Sequence, residues 1–203
     1  RQMCIRDRCS CLVLYRQPDF TATVGDVTVR AFPTLHDSRA SVGYRFEFGG
    51  ISVGYMTDTG CVTDRMEQML SGCEAVVLES NHDEQLLLSG PYPYELKLRI
   101  RSNRGHLSNR DAAALAARLA ERGTRHFLLA HLSETNNYPA IAYDETASAL
   151  AGSGATVAVA EPRDITMLVG AVGEPVARAG ARMPAAAGGA ERSAASAMGG
   201  ALL

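Results

Sequence analysis

Four histidines and one aspartate stand where a side chain does chemistry more readily than it fills a core. Asp58 lies in the string TDTG, at the end of an apolar run over 51–57. His36 sits in the loop before the preceding run, 43–48. His82 follows the short apolar run 75–78, His106 stands just ahead of a helix start, and His131 closes the run 126–130. Imidazole nitrogen with carboxylate oxygen is a donor set for Zn, Mn or Fe, and loop and strand-end positions carried on a rigid scaffold are where binding residues concentrate. Any one of the five could be a turn residue; their recurrence at loops and strand ends points to a metal centre. His126, the fifth histidine, begins a strand and reads as structural. Two histidines and one aspartate alone would be an incomplete set for a dinuclear hydrolytic site.

A second feature is charge. Lys97, Arg99, Arg101, Arg104 and Arg110 occur with no acid among residues 97–110. Such a run is either the solvated face of a helix or an edge that contacts phosphate.

These residues need elements to bring them together. Gly25-Asp26 and Gly49-Gly50 separate apolar-rich runs and read as tight hairpin turns, whose central residues take positive φ. Strands are therefore expected over 21–24, 27–32, 43–48 and 51–57. After TDTG, a short helix over 63–70 carries Met66, Met69 and Leu70 on one face and ends at Gly72. A buried strand follows at 75–78, then a helix over 83–88 that GPYP interrupts. Ser108 and Asp111 have capping spacing for an alanine-rich helix over 112–122, with Leu115 and Leu119 one turn apart. A strand over 126–130, a helix over 144–150 and a strand over 155–160 complete the order. Hairpins followed by repeated α–β units imply sheets covered by helices on the outside.

Composition bounds the rest. A chain of 203 residues with 46% hydrophobic content can build one real core; aromatic content is 6% and Trp is absent, so Ala, Val and Leu must fill it. A net charge of −2 gives no global attraction to nucleic acid, so any phosphate contact must be local. Five scattered cysteines are no disulfide framework, which makes a reducing cytoplasm the expected setting. No stretch is long and apolar enough for a membrane span, and no signal peptide is visible. Residues 1–19 read as a non-native or disordered leader, with a strand over 11–15 the one candidate element. Residues 20–170 read as the domain, and 171–203, rich in Ala and Gly, as a flexible tail.

In combination, HDSRASVGYRFEFGGISVGYMTDTG, VVLESNHD, GPYPYELKLRI with RGHLSN, and LLAHLSETNN make residues 20–162 resemble the metallo-β-lactamase-fold hydrolases, most closely the YycJ/WalJ-type subgroup. The resemblance implies an α+β, αββα sandwich and a centre of two divalent metals, Zn or Mn. It implies His36 and His131 as metal ligands and Asp58 as the carboxylate bridging both ions. His106 would handle the scissile phosphate, and His82 would line the site. Lys97, Arg101 and Arg104 would then contact substrate. The family's His-x-His-x-Asp-His motif is not in this chain, where no two histidines are separated by one residue. The expectation is therefore the C-terminal half of such a sandwich, with weak metal binding and little or no activity by itself.

For the complete protein the resemblance implies cleavage of phosphodiester bonds, as in a DNA exonuclease, with nucleic acid as partner. Two other readings stay open: a small-molecule hydrolase such as a thioesterase or lactonase, and a non-catalytic fragment.

Overall fold

The computed structural model describes residues 17–161, 167–171 and 174–178. Gly25, Gly49 and Gly50 take φ of 58°, 55° and 80°, the left-handed region that a two-residue hairpin turn requires and that glycine enters without a Cβ clash. They fold Thr21–Val24 (β1), Val27–Pro33 (β2), Val42–Phe48 (β3) and Ile51–Met56 (β4) into an antiparallel meander, in register Val29↔Phe46 and Phe46↔Val53. Ala75–Glu79 (β5), His126–Ala130 (β6) and Thr156–Val159 (β7) then add in parallel, giving one seven-stranded sheet in chain order.

Parallel neighbours need crossovers, and five helices lie in them: Asp64–Leu70 (α1), Glu84–Ser89 (α2), Tyr94–Arg101 (α3), Asn109–Glu121 (α4) and Pro139–Ala149 (α5). One face of the sheet, through Phe32, Met56, Val76, Leu78 and Phe127, packs with Met66 and Leu70 of α1 and Leu115 and Leu119 of α4 into a single core. On the opposite face, Phe48, Ile51 and Tyr55 stay substantially exposed. The fold is thus α+β with its helices on one face of a mixed sheet, which is one αβ half of the expected sandwich.

Three boundaries differ from the sequence reading. Helix α5 begins at Pro139, five residues before the expected start at 144, because proline at the first helical position has its φ preset and needs no N–H partner. The basic run does not form one helix face: α3 ends at Arg101, and Arg104 and Arg110 belong to the following turn and to α4. Met167–Ala171 (β8) and Glu174–Arg178 (β9) form a separate antiparallel hairpin, so strand pairing extends into the stretch read as a tail. The candidate strand over 11–15 and the chain from 179 onward lie outside the described residues.

Candidate metal centre

The parallel half of the sheet aims its carboxyl ends at one place, the edge where open α/β sheets put ligands. Asp58 follows β4, Glu79 ends β5 and His131 follows β6. His36 reaches the same place from the β2–β3 loop, and His106 from the turn before α4. Nε2 of His36 is 3.9 Å and Nε2 of His131 is 3.7 Å from Oδ1 of Asp58. Ligand atoms of Asp58, His106 and His131 all lie within 4.8 Å of one another. The His106 ring stands between the other two, with centroids 4.8 Å from His36 and 5.2 Å from His131.

Backbone and hydrogen bonding show that this convergence is built. Asp58 (φ 57°) and His131 (φ 60°) are the two non-glycine residues with positive φ among those described. That conformation costs on the order of 1 kcal/mol each and persists only where the surroundings enforce it. Both carbonyls are held. Thr34 and Ser41 donate their hydroxyls to the Asp58 carbonyl at 3.0 and 3.2 Å, and the Asn81 amide donates to the His131 carbonyl at 2.9 Å. Asn81 is itself anchored, its carbonyl accepting from the Asn137 amide at 3.1 Å and from the Ser133 backbone N–H at 2.8 Å. Asn137 also bonds Asn109 and the Ser80 carbonyl in a buried polar network.

Glu79 is the hub. Its side chain is fully buried, and Oε1 accepts from Nδ1 of His106 at 2.7 Å and of His131 at 2.8 Å, while Oε2 accepts the Thr59 amide at 2.9 Å. Burial pushes the Glu79 carboxyl up, but those hydrogen bonds outweigh it and hold the group below the usual carboxylate range. An ionised carboxylate only accepts, so the proton sits on Nδ1 of both rings, and the Nε2 of His131 left free is the one near Asp58. His36 follows the same rule, Nδ1 donating to the Gly105 carbonyl at 2.9 Å. The hydrogen bond to Glu79 also raises the affinity of His131 for a proton, against partial burial. Imidazoles with Nδ1 tied to oxygen, two of them with Nε2 turned on the Asp58 carboxylate, fit a divalent cation, because such second partners fix the tautomer and orientation of metal-ligating histidines.

Close packing supports the arrangement. A Cβ on Gly60 would lie 2.2 Å from the Ser102 carbonyl oxygen, and one on Gly105 would lie 2.1 Å from that of Ile100. Glycine is what lets the 100–106 turn press against the Asp58 loop and deliver His106.

A polar cavity of about 380 Å³ opens on this cluster, lined by His36, His106 and His131 together with Asp37, Asn81, Tyr92 and Arg99. The structure thus brings His36, Asp58, His106 and His131 together. It does not bring His82 to the cavity: that side chain is 2% exposed, its Nδ1 has no hydrogen-bond partner, and burial lowers its proton affinity. The lining role expected for His82 is corrected to a core position beside the network; an apolar strand end could not distinguish the two. Nor do Lys97, Arg101 or Arg104 line the cavity. Lys97 turns back to the Leu88 carbonyl, Arg101 is exposed, and Arg104 approaches the His36 carbonyl at 3.5 Å. Arg99, paired with Asp37, lines the cavity with Leu96 and Ile100 of the same helix. His126 is structural as expected, bonded to Thr156 Oγ1 at 2.9 Å. Glu79 and Arg99 were missed as site residues. The signal for Glu79 was an acid directly ending an apolar parallel-type strand.

A family profile described as the β-lactamase superfamily domain matches residues 13–132, beginning inside the expected leader. The exodeoxyribonuclease YycJ of Bacillus anthracis is 42% identical over 120 residues, covering 59% of this chain and 46% of that protein. The exodeoxyribonuclease WalJ of Streptococcus pneumoniae is 38% identical over 139 residues, covering 68% of this chain and 52% of that protein. The chain therefore spans about half the length of the curated relatives it matches. Among solved structures, the metallo-β-lactamase-fold protein YhfI of Bacillus subtilis superposes with a TM-score of 0.54 at 20% identity, over 73% of this chain and 52% of that one. That likeness concerns the fold alone.

Proposed function

The chain belongs to the β-lactamase superfamily, and on that premise we propose that it carries the C-terminal half of a metal-dependent centre that hydrolyses phosphodiester bonds in DNA. The observation that carries this reading is the grip of buried Glu79 on the imidazoles of His106 and His131, with the free Nε2 of His131 3.7 Å from Asp58. His36, Asp58 and His131 would hold divalent cation. Zn or Mn suits that donor set. Bound there, the ions supply an activated water and a counter-charge for phosphate oxygens. His106, fixed between the two ligand rings and held by Glu79 through Nδ1, would stand beside the scissile phosphate, where, once protonated on Nε2 as well, it would stabilise developing charge or pass that proton to the leaving oxygen. Arg99 adds a guanidinium on the same wall, suited to a phosphate oxygen once it leaves Asp37.

The remaining donors would come from sequence outside this chain, so the 203 residues alone should bind metal weakly and turn over little substrate. The names of the YycJ and WalJ relatives, both exodeoxyribonucleases, favour DNA over a small ester. Cys61 and Cys73 as free thiols suit a reducing cytoplasm, and no helix among the described residues is long and apolar enough to cross a membrane.

The test is a titration of Zn and Mn into the chain and its single variants, paired with DNA hydrolysis by a protein that supplies the missing motif. His36→Ala, Asp58→Ala and His131→Ala should each weaken metal binding, and His106→Ala should keep the metal while losing most hydrolysis. Metal uptake that ignores the first three substitutions would sink the reading. Equal metal loss in His106→Ala would make that residue a ligand instead. If turnover of a thioester or lactone exceeds that of DNA and is insensitive to salt, the small-molecule reading replaces this one.

A further inference from the structure

The polar cavity carries an anion of its own. Among the described residues that line it, Asp37 is the carboxylate and Arg99 the guanidinium, and the two pair from the β2–β3 loop to α3. Arg99 turns Nε and Nη2 on Oδ2 of Asp37. Oδ1 of the same carboxylate lies 3.4 Å from Nε2 of His36. The two oxygens of Asp37 thus face groups on which a substrate phosphate would place its own. A phosphate that takes Arg99 must displace Asp37, and the displaced carboxylate stays tethered beside it, one residue after His36.

Charge then decides which phosphate is held. Arg99 alone offers one positive charge and would hold a dianion better than a monoanion. Beside Asp37 the pair offers no net charge, and that advantage is cancelled. Substrate and product differ in this respect. A phosphodiester carries one negative charge, whereas the monoester that hydrolysis releases carries close to two above a second pKa of about 6.

We propose that Asp37 is a specificity-determining residue, which cancels the preference of Arg99 for doubly charged phosphate, so that the cavity takes up a diester and releases the monoester product. This rests on the phosphodiesterase reading and deepens it. Asp37 acts through its own charge and through Arg99. Both side chains are partly solvated, 31% and 66% exposed, so the effect is a bias and not a block.

The experiment is an NMR titration of the full 203-residue chain near pH 8 with thymidine monophosphate and, separately, with its methyl ester, which has the same base and sugar and one negative charge fewer. The parent chain should bind the two about equally. Asp37→Asn should tighten the monoester about five-fold more than the diester, the upper end for an exposed charge pair. Asp37→Glu keeps the charge and should keep the two ligands equal. Adding Arg99→Ala to Asp37→Asn should erase the monoester's gain. Affinities that Asp37→Asn leaves unchanged or raises equally overturn the specificity role, as does a monoester preference in the parent chain or one that survives the double substitution. In each of those cases the diester still binds and the phosphodiesterase reading stands. Failure of the diester to bind either the parent or Asp37→Asn counts against the reading itself and takes the proposal with it.

Discussion

Two walls of one cavity are built on opposite principles. The carboxyl ends of β5 and β6 hold a buried carboxylate, Glu79, inside a closed set of donors: two imidazoles and one amide, with Asn81, Asn109 and Asn137 behind them. Helix α3 across from them is a solvated helix with no buried residue, and its charges reach outward except for Arg99. The second wall carries three positive charges, Lys97, Arg99 and Arg101, and the first one buried negative charge, yet the single buried acid decides the geometry. A charge removed from water acts through a low dielectric and must be matched atom by atom, whereas surface charges are screened and replaceable. Counting charges along a chain thus overstates the exposed run and understates the hub.

The comparison breaks most sharply at Glu79. Glu79→Ala orphans the buried Thr59 amide and frees both rings to rotate. The chain should lose about 3 kcal/mol of stability by urea unfolding, and affinity for Zn or Mn should fall 10- to 100-fold, about the range for loss of an orienting partner. Retention of metal affinity in a folded variant would show that the frame does not orient the donors.

His82 sharpens the comparison within the buried wall. It lies in the core without a partner on Nδ1, and burial lowers its proton affinity. A histidine with a depressed folded value contributes stability that is full above its ordinary value of 6.5 and is lost as pH falls from there through the lowered folded value, because the unfolded chain takes up the proton first. Urea midpoints between pH 8 and pH 5 should fall for the parent chain, and His82→Gln should flatten that limb. An unchanged slope would mean that the proton is accommodated inside.

The smallest effect is expected on the exposed wall. Lys97→Ala with Arg101→Ala should change stability by less than about 0.5 kcal/mol. In DNA binding, followed by fluorescence anisotropy, the pair should lower the salt dependence slightly without selecting among sequences. An effect on metal affinity comparable to that of Glu79→Ala would overturn the ranking of the two walls.

Much of the frame could be read directly. Gly25-Asp26 and Gly49-Gly50 marked the hairpins because positive φ is a local demand, and Ser108 marked a helix start because a cap is a local hydrogen bond. Strand ends at Asp58, at Glu79 and near His131 followed from short apolar runs. The start of α5 was legible in Pro139 and was passed over in favour of a later acid. Whether His82 or His106 faced the cavity was not legible, since both adjoin polar strings at element ends and only packing against α4 and the 100–105 turn separates them.

By itself the sequence determined the residue types, the order of strands and helices, and the loop and strand-end positions from which His36, Asp58 and His131 converge. These depend on period, turn chemistry and capping, all of which act within a few neighbouring residues. Tertiary structure alone decided that one buried glutamate would tie His106 to His131, and that Arg99 would line the cavity beside them. Each of those facts joins segments tens of residues apart, and depends on which groups are desolvated together when the sheet and helices close.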